Sequence, residues 1–268
     1  MNIPSRATIV GILVLAGRRL SAAQLIRLAS PLGLSATNVK SHLTRMVAAG
    51  ALDREGPARL GTYGPTAGQL LLIDGIQARL KESPEEPWDR TWLMLAFRLP
   101  PKRGHRERLR ASLWFDGWRP VISDVYVRPA WPRTWSEESA RKYSEQDLGF
   151  CIRGVFMGPP VDFAALYDLR GLDSEARRLA AWIRRRSTAT RSPQAAFVER
   201  LKVGGRVAQL IGHDPRLPSA IWGERRGMQE LVDTFRRFEE CIAPQAQDFL
   251  NLDSEQPTSS SIATRGKT

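Results

Sequence analysis

The chain is poor in the residues that staple or metallate small folds. Its two cysteines, Cys151 and Cys241, lie far apart and outside any CxxC motif. That excludes a disulfide-stapled secreted scaffold and a zinc ribbon. Its three histidines, His42, His105 and His213, show no HExxH or HxxxH spacing, so a zinc site has almost no ligands to draw on. Long apolar runs are missing too. The run from Ala7 to Gly17, preceded by Arg6, is far short of the roughly 20 residues that cross a bilayer. Ser21-Ala22-Ala23 imitates a cleavage site, but Arg18 and Arg19 close the apolar run with two cations that oppose translocation. The expectation is a cytoplasmic protein with no membrane partner.

Acidic residues are the other shortage. Asp+Glu is 28 against 40 Lys+Arg, a formal net charge of +12 over 268 residues. A soluble chain this basic suits a polyanionic partner: nucleic acid, an anionic membrane or a phosphate-rich ligand. The hydrophobic fraction of 42% supplies enough apolar side chains for packed cores, and the length suits two domains or three small ones.

Punctuation divides the chain. Residues 1–80 read as helices followed by a short hairpin. Residues 81–87, polar and charged with Pro84 and Pro87, suit a linker. Residues 88–158 alternate strands and helices, and Gly158-Pro159-Pro160 makes a second break. Residues 161–250 read as mainly helical. From Asp253 to Thr268 the chain is Ser/Thr-rich without periodic apolar residues, the pattern of a disordered tail.

Within residues 1–80, Ser5 to Ala16 reads as a first helix. Ser21 caps a second, Pro31-Leu32-Gly33-Leu34 turns the chain, and Ser35 caps a third that Gly50 stops. Two helices joined by a short Gly-containing turn match the helix-turn-helix pattern. At 100° per residue, Val39, Leu43, Met46 and Val47 form the core stripe of the third helix. Asn38, Ser41 and Arg45 lie opposite, flanked by Thr37, Lys40 and Thr44, and this outer face has no acid. Such side chains can read a major groove: Asn bonds adenine, Arg bonds guanine, and Ser or Thr takes bases or phosphates. An ordinary solvated face usually mixes Glu with Lys, so the missing acids favour DNA. Extended stretches then flank Gly56-Pro57, the pattern of a wing, with Arg54 and Arg59 available for phosphate or the minor groove. Residues 1–80 hold nine cations against three acids, half of the whole net charge.

The run Ser35-Ala36-Thr37-Asn38-Val39-Lys40-Ser41-His42-Leu43-Thr44-Arg45-Met46, with Gly50 and the wing end Tyr63-Gly64-Pro65-Thr66-Ala67-Gly68, resembles PaaX-type repressors of phenylacetic acid degradation. The family pattern is Ser-x-x-x-Val-Arg-x-Ala-Leu-Ser-Arg-Leu. Lys40, His42, Thr44 and Met46 depart from it, and only Arg59 remains of the family's pair of cations in the wing. Ala164-Ala165-Leu166-Tyr167-Asp168-Leu169, Phe197-Val198-Glu199-Arg200 and His213-Asp214-Pro215-Arg216-Leu217-Pro218 are similar to later family motifs, so the likeness extends over about residues 1–245. The resemblance implies a winged helix-turn-helix repressor that binds double-stranded operator DNA. The DNA-contacting set is then Ser35, Thr37, Asn38, Lys40, Ser41, Thr44, Arg45, Arg54, Arg59 and Tyr63. It also implies an acyl-CoA effector of the phenylacetyl-CoA type.

Residues 88–158 read bottom-up as strand Thr91–Arg98, helix Lys102–Trp114, strands Trp118–Ile122 and Asp124–Arg128, helix Ser136–Gln146 and strand Phe150–Met157. That βαββαβ order is ferredoxin-like; the resemblance implies the same and likens it to the small nuclease of CRISPR adaptation. Two facing sheets of this kind commonly make a homodimer, the expected role of residues 88–158. The overall expectation is an α+β protein with a winged reader, a ferredoxin-like dimerisation domain and a mainly helical C-terminal domain. No cofactor is expected.

The alternative is a metal-dependent nucleic-acid-processing enzyme, which needs clustered carboxylates at a strand end. The first strand ends Phe97-Arg98-Leu99-Pro100 without one, and Asp89 and Asp124 are read as surface or turn residues. Trp88, Trp92, Trp114, Trp118, Trp131 and Trp135 read either as core and interface or as an aromatic pocket for an aryl acyl group. The cations Arg98, Lys102, Arg103, Arg106, Arg108 and Arg110 read as a solvated helix face, a holder of coenzyme A phosphates or a nonspecific DNA contact. Arg177, Arg178, Arg184, Arg185 and Arg186 make a basic helix end. Met228, Leu231, Val232, Phe235 and Phe238 are spaced as an amphipathic helix.

Overall fold

The computed structural model describes residues 4–57, 61–80, 86–97, 103–144, 149–157, 162–186, 192–223 and 226–254. The protein is mixed α and β, with a three-stranded and a four-stranded sheet among the described residues. Its contacts group it into two units. The first holds residues 1–70, 186–205 and 237–268; the second holds 71–185 and 206–236.

In the first unit, α1 (Ser5–Ala16) ends at Gly17, which takes φ 61°, the left-handed conformation that a side chain resists. β1 (Leu20–Ser21) leads straight into α2 (Ala22–Ala29). Ser21 Oγ accepts from the Gln24 N–H, and Gln24 Oε1 accepts from the Ser21 N–H, closing a capping box. A 3-10 turn (Ser30–Leu32) and Gly33 at φ 81° reverse the chain into α3 (Ala36–Ala48). β2 (Leu52–Glu55) and β3 (Thr62–Pro65) follow. The strands order β1-β3-β2, all antiparallel. Ile9, Ile12, Leu20, Leu25, Val39, Leu43 and Leu52 are essentially buried. The helical spacing in α3 and the first residue of β2 therefore point at one core. Each such side chain contributes roughly 1.5–3 kcal/mol on leaving water. Later residues join the same unit: the Phe197 and Phe249 rings lie 5.1 Å apart, and Arg200 grips Glu239 through two nitrogens.

In the second unit, α4 (Ala67–Leu80), most of which belongs here, is followed by β4 (Trp92–Phe97), α5 (Arg103–Phe115), β5 (Arg119–Ile122), β6 (Val125–Pro129), α6 (Arg133–Ser144) and β7 (Gly149–Gly154). The sheet order is β5-β6-β4-β7, antiparallel throughout. Alternation along β4 sorts its two faces. Leu93 and Leu95 pack with Leu113, Trp118, Tyr126 and Tyr143 under α5 and α6. Trp92 on the other face packs with Val127, Tyr167, Leu169 and Leu217, with Met94 against them. These covering residues come from α7 (Phe163–Leu166), α8 (Leu169–Arg184) and the approach to α10 (Ser219–Trp222). Both faces of the sheet are therefore covered at its centre by other elements of the same unit. On β7, Phe150 and Ile152 remain 58% and 47% exposed.

α9 (Pro193–Gly212) and α11 (Arg226–Ser254) contribute residues to both units. α11 carries the Met228–Phe238 apolar series, with Met228, Leu231 and Phe238 buried. It continues through Asp253 and Ser254; the remainder of the Ser/Thr-rich tail lies outside the described residues.

The tryptophans of the second unit do different jobs. Trp118 is buried and donates from Nε1 to Ser139 Oγ at 2.8 Å. Arg119 lies 3.5 Å over the half-exposed Trp114 ring, and Arg128 lies 4.0 Å over Trp135. Both guanidiniums are buried and donate to backbone carbonyls: Arg119 to Trp114 and Trp118, Arg128 to Asp116, Pro129 and Trp131. Burial pulls both down to about 10 from the ordinary arginine value.

Candidate nucleic-acid interface

Ser35 starts α3, its Oγ accepting from the Asn38 N–H at 3.2 Å. The cap is exposed and fixes where the first turn begins. From there Thr37, Asn38, Lys40, Ser41, Thr44 and Arg45 are all exposed, while Val39, Leu43 and Met46 point inward. Two of the exposed side chains are tethered to their own helix. Thr44 Oγ1 donates to the Lys40 carbonyl at 3.1 Å, and Arg45 Nε donates to the Ser41 carbonyl at 3.3 Å. The Arg45 tether uses Nε and leaves the two terminal nitrogens, the pair that guanine recognition employs. Among the described residues, Lys40, Arg45 and Arg54 have no ion-pair partner. The face offers cations and hydrogen-bonding groups without a carboxylate to blunt them.

The hairpin places Arg54 on β2 directly across from Tyr63 on β3, and Tyr63 in turn pairs with Leu20 of β1. Arg54 is exposed and Tyr63 half-buried at the middle of the small sheet. Gly61 lets the Arg54 side chain lie close over the hairpin, since a Cβ there would sit 2.6 Å from Arg54 Nε. Arg59 lies outside the described residues.

A residue outside the expected set organises this hairpin. Arg19 Nη1 meets the Asp53 carboxylate at 2.6 Å and Glu55 at 3.1 Å, while Nη2 donates to the carbonyls of Asp53 and Thr62. It thus neutralises both acids of the hairpin and joins the segment before β1 to β2 and β3. The sequence signal was the Arg18-Arg19 pair followed by acids at 53 and 55, but nothing in the linear spacing says that they meet.

Of the carboxylates considered for metal chemistry, Asp89 is engaged elsewhere, whereas the buried Asp124 Oδ1 has no hydrogen-bond partner among the described residues. Asp89 accepts from the N–H and Oγ1 of Thr91 and from Arg153 at 2.7 Å; the Thr91 bonds foremost hold its carboxyl below the usual range. Asp124 turns the chain between β5 and β6 with φ 62°. Among the described residues, no group of three His, Cys, Asp or Glu side chains is placed to hold a metal ion. No described helix is long and apolar enough to cross a membrane.

An α+β chain with a basic helix-and-hairpin module ahead of a four-stranded antiparallel sheet is the class these elements define. The chain belongs to the PaaX-like family, a family of transcriptional regulators: residues 6–66 match the model of the PaaX-like protein, and residues 85–160 match that of the PaaX protein central Cas2-like domain. Among solved structures it is similar to the uncharacterized protein Rv0674 from Mycobacterium tuberculosis. That likeness has a TM-score of 0.57 at 20% identity and covers 93% of this chain and 100% of the other. It speaks for the fold alone. Among curated proteins, none matches the chain.

Proposed function

We propose that the protein is a sequence-specific DNA-binding repressor whose N-terminal unit is a winged helix-turn-helix. In this reading α3 enters the major groove through Asn38, Ser41 and Arg45. Thr37, Lys40 and Thr44 flank it, Ser35 sets its start, and Arg54, Arg59 and Tyr63 form the wing contact. The observation that carries the reading is the acid-free, exposed face of α3 opposite a fully apolar buried stripe. The test is a gel-shift titration on the chain's own promoter region against a scrambled duplex of equal length. Loss of affinity on scrambling supports specific reading; equal affinity overturns it in favour of nonspecific binding.

We read the four-stranded unit as a ferredoxin-like domain, a reading supported by its βαββαβ element order and the sheet order β5-β6-β4-β7. It is also the proposed site of homodimerisation. With the sheet centre covered, the edge strand β7 is the surface to which the proposal points. Antiparallel pairing of β7 with its copy is two-fold symmetric and would shelter Phe150 and Ile152. An Ile152→Asp change is expected to give monomers in analytical ultracentrifugation. The effector proposed is an acyl-CoA thioester that shifts the dimer to a half-site spacing unsuited to the operator. Operator release by fluorescence anisotropy against a panel of CoA thioesters and free acids tests it.

A further inference from the structure

We propose that the second unit carries a binding site for a small aromatic carboxylate, in a pocket that the DNA-binding reading does not use. The pocket has a volume of about 570 Å³ and opens where the segment before β4 meets the chain after β7 and the start of α7. That is the size range of small-molecule sites.

Its apolar wall is aromatic. Trp92 stacks on Phe163 at 3.9 Å with 19° between the planes, which leaves no gap for a ligand between them. Trp88 and Phe156 meet Trp92 edge-on at 5.5 and 5.4 Å. The four rings therefore form a floor with two upright edges rather than a closed cage. Phe156 stays 44% exposed. A flat ring laid against this wall would gain edge-to-face contacts and take exposed aromatic surface out of water.

Two charges line the pocket, and they are not equivalent. Asp162 is committed: its Oδ1 accepts from the Ala165 N–H at 3.0 Å and caps α7. Arg90 is not. It is exposed and has no hydrogen-bond or ion-pair partner among the described residues. Its backbone sits at φ 63°, a conformation costly for a non-glycine residue. An aromatic wall beside one uncommitted guanidinium selects an aromatic ring bearing one carboxylate, which the fork can hold through two parallel bonds.

The same geometry limits the ligand. Leu109 and Leu113 place α5 against the Leu93–Leu95 face of the sheet, while Trp92 points to the other face. The described α5 cations Arg103, Arg106, Arg108 and Arg110 thus stand on an element that covers the far side. They do not line this pocket. The site suits a monoanion, not a multiply phosphorylated ligand, and is independent of the thioester reading.

The test uses the full chain without DNA. Isothermal titration with 2-naphthoate is expected to show one site per chain, with 2-naphthylmethylamine, the same ring with opposite charge, at least tenfold weaker. Arg90→Gln is expected to lose at least tenfold for the carboxylate and to erase the preference over the amine, while Arg90→Lys keeps the preference. Ala220→Trp, which fills the pocket from its exposed side, is expected to abolish binding. Circular dichroism that matches the parent chain shows each variant folded. Equal binding of acid and amine, no heat with naphthoate, or an Arg90→Gln chain that binds like the parent would each overturn the site. Operator binding is read separately, so failure of the repressor reading leaves these outcomes intact.

Discussion

At the scale of single residues, the proposed function assigns the exposed cations of the N-terminal unit to two roles, base reading and charge neutralisation. Arg45 Nε is tethered to the Ser41 carbonyl, which leaves both terminal nitrogens available. Arg45→Ala is expected to cost about 1–3 kcal/mol on the specific site and little on scrambled DNA, because a guanine contact exists only on the former. Lys40→Ala is expected to weaken both duplexes by a similar factor, as loss of a phosphate contact does. A gel-shift comparison of the two variants separates the roles. In the second unit, burial pushes the Tyr143 and Tyr167 hydroxyls well above the ordinary tyrosine value of 10.0. Tyr143 donates to Asp116, and Tyr167 to the carbonyls of Gly117 and Val127. Both stay protonated in the fold at a pH where the unfolded chain would ionise them. The stability they supply is complete below pH 10 and is lost as pH rises beyond it. Absorbance at 295 nm during alkaline titration is expected to show their ionisation only together with loss of the near-ultraviolet dichroism. Tyr167→Phe should remove part of that late amplitude.

At the scale of elements, the hairpin is held by one side chain. Arg19 binds two carboxylates and two carbonyls across β2 and β3. Gly64 leaves room for it, since a Cβ there would lie 2.7 Å from its guanidinium. The acids are at least half exposed, so screening keeps the stability effect small. Arg19→Ala is expected to cost about 1 kcal/mol in urea unfolding. Its effect on DNA binding should be larger, because Asp53 and Glu55 are left uncompensated beside the proposed wing. Asp53→Asn with Glu55→Gln in the Arg19→Ala background should recover part of that affinity, and anisotropy titration measures both.

For the whole molecule, the proposed association with DNA is expected to follow charge. If Lys40, Arg54 and Arg59 each neutralise a phosphate in both protomers, six counterions are released. Log K should then fall against log salt with a slope of about −5. A slope near zero would remove the phosphate contacts. The Ile152→Asp monomer should roughly halve the slope, since each reader then binds alone.

Elements whose logic is local were legible from the residues alone. The capping serines at 21 and 35, the glycines at 33 and 50, and the 3.6-residue spacing of Val39, Leu43 and Met46 mark α2 and α3, and α1 reads at its observed bounds. The acid-free face of α3 was equally legible, because a helix of known phase sorts its own surface. The alternation in residues 91–154 likewise marked β4, α5, β5, β6, α6 and β7 in order. Tertiary structure alone decided what depends on distant partners. Arg19 meets acids 34 and 36 residues away. Leu217 and Tyr167 cover a sheet face that the strand pattern left open for dimerisation. Of six tryptophans alike in composition, Trp118 and Trp131 are buried, Trp114 and Trp135 stack on arginines, and Trp88 and Trp92 line a pocket. Local periodicity fixes which way a side chain leaves its own element; only the packing of other elements fixes what it meets there.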